Sequence, residues 1–273
     1  MSVSTLCILV GLCLTGLVHV CTLSAKDVSM EPITIVSVLL DESGSMASIK
    51  DDTIGGFNHY LTSLQDPRAG AVLFSLVKFD SNAITTVYKG VPVADAVPLT
   101  NDTYRPGAST PLIDAAYKTI VATADVVAQR QDTPHVLIVI QTDGQENAST
   151  EHTNAELHQL IKEKSAAGWG FIFLGAGIDA FTQAGKWGIQ TGSTLNYSRG
   201  KSVETFVALT SNTAHFRASG DPISLSFTPE QRKSVSDDDM PPVAPTLVAP
   251  SISVKTNPRA IVDDFSLVPD AKE

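Results

Sequence analysis

Three predominantly apolar segments constrain the fold of this chain more than any other feature of its sequence. They are ITIVSVLL (33–40), HVLIVIQT (135–142) and GFIFLG (170–175). A strand with one face in water alternates apolar and polar residues, whereas a parallel strand covered by helices on both faces is apolar throughout. We therefore predict that these three segments are buried strands of one parallel sheet.

Segments with helical patterns separate the predicted strands. We expect helices at 48–64, 112–129, 153–168 and 202–216, and a shorter one at 179–187. Buried strands that alternate with helices are typical of a parallel sheet built from strand–helix–strand units. The sequence thus predicts an α/β fold with a doubly wound, mainly parallel central sheet and helices on both of its faces.

Two further segments indicate one antiparallel pair of strands. The segments AVLFSLVKFD (71–80) and AITTVYKGV (83–91) are rich in β-branched and aromatic residues, and only Ser81 and Asn82 separate them. Such a short connection joins antiparallel neighbours. We therefore predict a hairpin in this part of the chain.

The N-terminal segment, residues 1–25, has the pattern of a signal peptide. It is almost wholly apolar from Leu6 to Cys21, a length that is short for a membrane span, and small residues follow. We predict cleavage near Ser24 or Ala25, and hence a secreted or extracytoplasmic protein. If the segment stays uncleaved it would anchor the chain in a membrane, and a misassigned start would leave the protein in the cytoplasm.

The rest of the chain divides into a folded domain, residues 31–233, and a tail, residues 234–273. The tail contains six prolines and an acidic triplet without any helical or alternating period, so we predict that it is disordered. All three cysteines lie within the first 21 residues. The folded part therefore has no disulfide and no cysteine ligand for a metal.

The charge of the chain argues against one class of partner. The sequence has 29 acidic and 19 basic residues, which gives a formal net charge of -10. An acidic surface repels the phosphate backbone of nucleic acids. We therefore predict that the protein does not bind nucleic acid.

Polar side chains follow two of the predicted buried strands. Asp41, Ser43 and Ser45 come directly after the first strand, and Asp143 follows the strand at 135–142. In doubly wound sheets, ligands bind beyond the carboxyl ends of the strands, at the point where the strand order reverses. If the two strands are neighbours at that point, these side chains meet in one crevice.

The segment PGASTPL (106–112) adds hydroxyl groups just before a helix, from Thr110 or its neighbour Ser109. Carboxylates and hydroxyls are hard oxygen ligands, and Mg²⁺ takes about six of them, water included, at roughly 2.1 Å. Two aspartates roughly neutralise the ion, while the hydroxyls donate little charge. A bound ion would therefore still attract a carboxylate from outside.

Three nearby acids have simpler interpretations. We expect Glu42 and Glu146 to be solvated, although either could influence selectivity at the rim of the crevice. Asp114 is interpreted as an acid in the first turn of a helix, where the helix dipole favours negative charge.

The segments DESGS, GASTPLIDA and VLIVIQTDGQEN, in this order, resemble the metal-ion-dependent adhesion site of the von Willebrand factor type A (VWA) domain. The resemblance covers about residues 33–217 and is nearer to small stand-alone microbial-type members than to large matrix or integrin chains. It implies a mainly parallel sheet with one antiparallel edge strand, which suits the predicted hairpin. It also implies a site for Mg²⁺ or Mn²⁺ with these ligands: Asp41, Ser43, Ser45, Thr110 and Asp143.

From these residues and the resemblance we expect a non-enzymatic module that recognises an acidic group of a protein partner through the bound ion. One alternative is a metal-assisted hydrolase that uses the same aspartates, for which no general base is evident beside them. Another is a nucleotide-binding enzyme, because GAGIDA (175–180) fits the pattern Gly-x-Gly-x-x-Ala. That segment follows a late strand, and no acid near position 195 could hold a ribose, so a tight strand-to-helix turn is our preferred interpretation.

Overall fold

The computed structural model describes residues 32–67 and 70–236 of the chain. The strands are β1 (Thr34–Asp41), β2 (Val72–Phe79), β3 (Ile84–Pro92), β4 (His135–Thr142), β5 (Gly170–Ala176) and β6 (Thr194–Tyr197). The helices are α1 (Lys50–Leu64), α2 (Leu112–Ala128), α3 (Asn154–Ala166), α4 (Ala180–Lys186), α5 (Ser202–Ser219) and α6 (Pro229–Val235). A short 3₁₀ helix, Gly44–Ile49, leads directly into α1.

The six strands form one sheet in the order β3-β2-β1-β4-β5-β6. All neighbours are parallel except β2 and β3, which form the antiparallel hairpin at one edge. The predicted α/β fold with a mainly parallel sheet and one antiparallel edge strand is therefore confirmed. The chain moves to opposite sides of β1 in its two halves, so the strand order reverses between β1 and β4, as the sequence analysis required.

The strand β1 is buried along its whole length because helices cover both faces of the sheet. Val36, Val38 and Leu40 belong to the core that α1, α5 and α6 share with one face. Ile35 and Leu39 point into the opposite core, which contains apolar side chains of α2, α3 and α4. Every residue of β1 is buried, so the carboxyl end of this strand is held in place by packing on both sides.

The helices α1 and α5 approach each other closely at Gly56. A Cβ atom on this glycine would lie 2.5 Å from the Phe206 ring and 2.9 Å from the carbonyl oxygen of Ser202. Such distances are shorter than van der Waals contact, so no larger residue fits without displacing α5. A glycine that weakens the helix locally is thus compensated by packing.

The four-residue strand β6 and the helix α6 were not predicted from the sequence. The guanidinium of Arg232 in α6 donates hydrogen bonds to the carbonyl oxygens of Thr191, Gly192 and Thr194, at 2.7 to 2.9 Å. The helix α6 continues to Val235, two residues past the predicted end of the domain. The division at 233 and 234 otherwise stays a prediction.

The predicted signal peptide and almost all of the predicted tail lie outside the described residues. Within the described ranges, 32–67 and 70–236, no helix combines the length and the apolar character that crossing a membrane requires. Cleavage and extracytoplasmic location therefore stay predictions.

Candidate metal site

The candidate site lies at the carboxyl edge of the sheet, where β1 and β4 end side by side. Leu40 is paired with Gln141 in the parallel register. Asp41 is the last residue of β1 and Asp143 comes directly after β4, so the two aspartates lie at the ends of neighbouring strands. Both carboxylates are buried, with exposed fractions of 0% for Asp41 and 3% for Asp143. The prediction that the two loops meet is therefore correct.

Hydrogen bonds connect the side chains of the first loop to Asp143. The Oγ atoms of Ser43 and Ser45 lie 3.3 Å apart, and the Ser45 hydroxyl donates to Oδ1 of Asp143 at 2.5 Å. Asp41 Oδ1 accepts the backbone N–H of Ser43 at 2.7 Å, and Asp41 Oδ2 accepts the hydroxyl of Thr142 at 2.6 Å. The two predicted serines and two predicted aspartates thus form one connected group.

Thr110 joins this group across a gap that Gly144 leaves open. A Cβ atom on Gly144 would lie 3.1 Å from Thr110 Oγ1 and 3.5 Å from Ser45 Oγ. The absence of a side chain at Gly144 therefore keeps free the space that these two hydroxyls border. The alternative hydroxyl, Ser109, is exposed and binds β-hairpin residue Ser81 through its backbone.

The backbone ties the second loop to the first. Gly44 N–H donates to Ala108 O at 3.0 Å, and Gly107 N–H donates to Glu42 O at 2.8 Å. Ala108 has a φ of +57°, a left-handed conformation that a residue with a Cβ rarely adopts. The loop that carries Thr110 is therefore held against the first loop in a conformation that costs about 1 kcal/mol.

The expectation that Glu42 and Glu146 are solvated is wrong. Glu42 forms an ion pair with Lys78 at 2.9 Å, and its side chain is only 16% exposed. Glu146 accepts the N–H groups of Ile113, Ala148 and Ser149 at 2.7 to 2.8 Å. Both acids hold loop backbone beside the candidate site, a role that depends on tertiary contacts.

Asp114 has a larger role than that of a first-turn helix acid. Its carboxylate is buried and accepts the backbone N–H groups of Thr150, Glu151 and His152. Burial alone would raise the pKa of Asp114, but these hydrogen bonds and that of the His152 side chain outweigh it and lower the pKa. Asp114 therefore fixes the segment after β4 to the start of α2.

The two carboxyls of the candidate site have raised pKa values, in contrast to Asp114. Burial raises the pKa of Asp41 to about 6, against hydrogen bonds from Thr142 and Ser43, and nearby Asp143 raises it further. Burial also raises the pKa of Asp143, while the hydroxyl of Ser45 and the charge of Arg199 lower it. The fold thus disfavours the negative charge of both carboxylates, which a nearby cation would compensate.

Arg199 is the residue of this site that the sequence analysis missed. Its Nη2 lies 3.1 Å from Asp143 Oδ2, and its Nη1 donates to the Ser48 hydroxyl at 2.8 Å. Arg199 follows β6, the strand that was not predicted, so nothing in the sequence placed it near Asp143.

The donor set fits a hard divalent cation. The predicted ligands converge as two carboxylates and three hydroxyls, and Gly144 leaves space beside two of the hydroxyls. Among the described residues, no cluster of three or more His, Cys, Asp or Glu side chains could hold a metal ion. A metal at this edge would therefore depend on hydroxyl ligands as well as on the two carboxylates, a combination suited to Mg²⁺ or Mn²⁺.

The sequence matches no model of a protein family and none of the curated proteins. Solved structures do resemble the fold. The pilus adhesin SpaC of Lactobacillus rhamnosus GG, in its open conformation, has a TM-score of 0.52 and 15% identity, over 69% of this chain and 30% of the adhesin. The proximal thread matrix protein 1 of the mussel byssus has a TM-score of 0.49 and 17% identity, over 67% and 48% of the two chains.

A third similar structure is the VWA domain of SpRpn10, with a TM-score of 0.43 and 12% identity, over 71% of this chain and 98% of that domain. At these identities the comparisons concern the fold alone. The sheet order and the antiparallel edge strand are those that the resemblance to the VWA domain implied, so the chain has a VWA-like α/β fold, and the match to the adhesin supports this fold. The chain spans less than half of the length of the adhesin and of the mussel protein.

Proposed function

We propose that this chain is a protein-binding module that holds Mg²⁺ or Mn²⁺ and recognises an acidic group of a partner through the ion. The observation that carries this proposal is the convergence of five oxygen-bearing side chains from three separate loops at the switch point of the sheet. They are Asp41, Ser43, Ser45, Thr110 and Asp143.

The charges of the site explain why the partner would present a carboxylate. Two carboxylates balance the formal charge of a divalent ion, but the remaining protein ligands are neutral hydroxyls that donate little electron density. The ion therefore keeps a net attraction for an incoming anion in a crevice that water only partly screens. Ser45 is exposed while Asp41, Ser43 and Thr110 are buried, so the partner would approach from the side of Ser45.

A binding role is favoured over metal-assisted hydrolysis by the surroundings of the five side chains. In the described part of the chain, these side chains bond to hydroxyls, backbone groups and Arg199, and the amide oxygen of Asn147 accepts the backbone N–H of Thr110. Neither a histidine nor a third carboxylate lies among those partners to act as a general base. SpaC is, by its name, a pilus adhesin, which agrees with a protein partner and with an extracytoplasmic location for this chain.

The first experiment measures metal binding by titration calorimetry with Mg²⁺ and Mn²⁺. We expect one divalent ion per chain, a strong loss of affinity in Asp143→Ala, and a smaller loss in Thr110→Ala. The matched control is Ser109→Ala, which removes the neighbouring exposed hydroxyl and should leave the affinity unchanged. Equal affinities for the wild type, Asp143→Ala and Thr110→Ala would refute the metal site.

The second experiment tests the partner. Proteins that the wild type captures in Mg²⁺ are identified by mass spectrometry. Their capture is then compared between the wild type in Mg²⁺, the wild type in EDTA, Thr110→Ala and Ser109→Ala. The proposal requires that capture is lost in EDTA and reduced in Thr110→Ala, but not in Ser109→Ala. A truncation after Ser236 should bind normally, because it keeps Val235, which is fully buried. Binding that survives EDTA would place the interaction surface elsewhere.

A further inference from the structure

Arg199 is the only cationic side chain, within residues 32–67 and 70–236, that forms an ion pair with a carboxylate of the candidate site. Its Nη2 donates to Asp143 Oδ2 at 3.1 Å, while Asp143 Oδ1 accepts the hydroxyl of Ser45. Both oxygens of this carboxylate are therefore engaged by the protein itself. The Asp143 side chain is fully buried, whereas that of Arg199 is 47% exposed.

The position of Arg199 is built into the loops around it. Gly177, in the turn after β5, has a φ of +64°, and its N–H donates to Tyr197 O at 2.9 Å. A Cβ atom on Gly177 would lie 3.4 Å from Nε and 3.5 Å from Cγ of Arg199. The glycine turn thus leaves a surface on which the stem of the arginine lies, and the Ser48 hydroxyl fixes the other side of the guanidinium.

We propose that Arg199 is an internal counter-ion that competes with the divalent cation for Asp143 and thereby sets the affinity of the site for metal. This inference rests on the proposed metal-dependent function. A carboxylate oxygen that holds a guanidinium through a charge-assisted hydrogen bond has part of its charge already compensated, so it attracts a metal ion or its bound water less strongly. A second positive charge at this distance also repels the incoming ion.

The exchange of the guanidinium for the ion needs no rearrangement of the core. Arg199 borders an open groove beside the site, which Ser48, Lys50 and Gly200 also line. Because half of the side chain is already exposed, the guanidinium can move into this groove when a metal ion takes its place. In the ion-free state Arg199 neutralises Asp143, and in the ion-bound state the metal does so.

The test compares Arg199→Gln with Arg130→Gln. Each change removes one arginine that forms an ion pair with an aspartate. Arg130 pairs with Asp132 beyond the C-terminal end of α2, and the length of this helix separates the pair from the Thr110 loop by about 25 Å. We expect Arg199→Gln to bind Mg²⁺ roughly five- to tenfold more tightly than the wild type, which corresponds to the loss of one partly exposed ion pair and its repulsion. The affinity of Arg130→Gln should not change.

Thermal unfolding supplies a readout that does not depend on a partner. In EDTA, Arg199→Gln should lower the melting temperature, because Asp143 loses the cation that compensates its buried charge. In saturating Mg²⁺ that difference from the wild type should disappear or reverse. The control Arg130→Gln should show the same difference from the wild type in both conditions.

The outcomes separate the two proposals. If Asp143→Ala abolishes Mg²⁺ binding but Arg199→Gln binds with wild-type affinity, competition by Arg199 is refuted while the metal site stands. If Arg199→Gln binds Mg²⁺ more weakly than the wild type, Arg199 raises the affinity for the metal instead of lowering it, and the inference is refuted. If the wild type binds no divalent ion, both the metal site and the competition are refuted together.

Discussion

Replacing Asp41 by asparagine should stabilise the ion-free protein while it destroys the metal site. The asparagine has the shape of the protonated acid, and its carbonyl can still accept the N–H of Ser43. Its amide would donate to Thr142 Oγ1, whose own proton can turn to the carbonyl oxygen of Gly144 at 3.1 Å. The variant therefore keeps the hydrogen bonds of this buried position and removes its charge.

The size of the effect follows from the pKa of Asp41, which burial raises from 3.8 to about 6. A carboxyl whose pKa is higher in the folded state binds its proton more tightly when folded. Its contribution to stability is thus fully present below pH 4 and is lost as the pH rises through 6. A difference of this size corresponds to about 3 kcal/mol in the free energy of unfolding.

The assay is urea unfolding in EDTA at pH 7.5 and at pH 4. At pH 7.5, Asp41→Asn should be more stable than the wild type by about 3 kcal/mol, and at pH 4 the two proteins should be nearly equal. Addition of Mg²⁺ should stabilise the wild type and leave Asp41→Asn unchanged. As a control, Asp125→Asn removes an exposed acid that pairs with Lys89 and should change stability by less than about 1 kcal/mol.

An Asp41→Asn protein that is less stable than the wild type in EDTA at pH 7.5 would contradict this reasoning. It would mean that the ionised carboxylate gains more from its hydrogen bonds than burial costs it.

The structure gives two more predictions for single residues. Gly144→Ala should weaken Mg²⁺ binding in calorimetry, because its Cβ would lie 3.1 Å from Thr110 Oγ1, whereas Gly185→Ala, which has nothing within 4 Å of the added Cβ, should bind normally. Asp114→Asn should lower the free energy of unfolding at pH 7 by about 2 kcal/mol, because an ionised acceptor of several N–H groups is lost. Since the pKa of Asp114 is lowered in the folded state, this loss should shrink as the pH falls towards 3, and a variant equally unstable at pH 3 and pH 7 would contradict it.

The strands β1, β4 and β5 could be predicted from the sequence because each carries its own evidence of burial. The segment that forms β1 has mostly apolar residues on both faces, a pattern that indicates cover by helices on both sides of the sheet. The strand β6 and the helix α6 have no comparable pattern. Four residues and seven residues are too short for a period, and tertiary contacts such as those of Arg232 hold them in place.

The same distinction applies to the candidate site. The predicted ligands follow directly from strand ends or precede a helix, so the topology of the sheet brings them together. The contacts of Arg199 with Asp143, of Lys78 with Glu42, and of Asp114 with residues after β4 join segments 36 to 56 positions apart. Only the folded backbone brings such segments together, so a pattern in the sequence could not reveal them.

The titration behaviour of the acids singles out the candidate site. Among the described carboxyl groups with a resolved shift, burial raises the pKa of two, Asp41 and Asp143. Every other such group has a lowered pKa, because hydrogen bonds favour its charge: Asp114, Asp132, Glu156, Asp179, Glu204 and Glu230.

A buried carboxylate whose charge is disfavoured persists only where the surrounding fold enforces it, and such groups tend to concentrate at functional sites. The backbone shows the same localisation, since Ala108, the non-glycine residue with positive φ in the described part, lies in the loop bonded to Gly44. The two carboxylates whose charge the fold disfavours are thus the two that a divalent cation would neutralise. On the metal-binding hypothesis, the free energy that the ion-free protein loses at Asp41 and Asp143 returns as affinity for the ion.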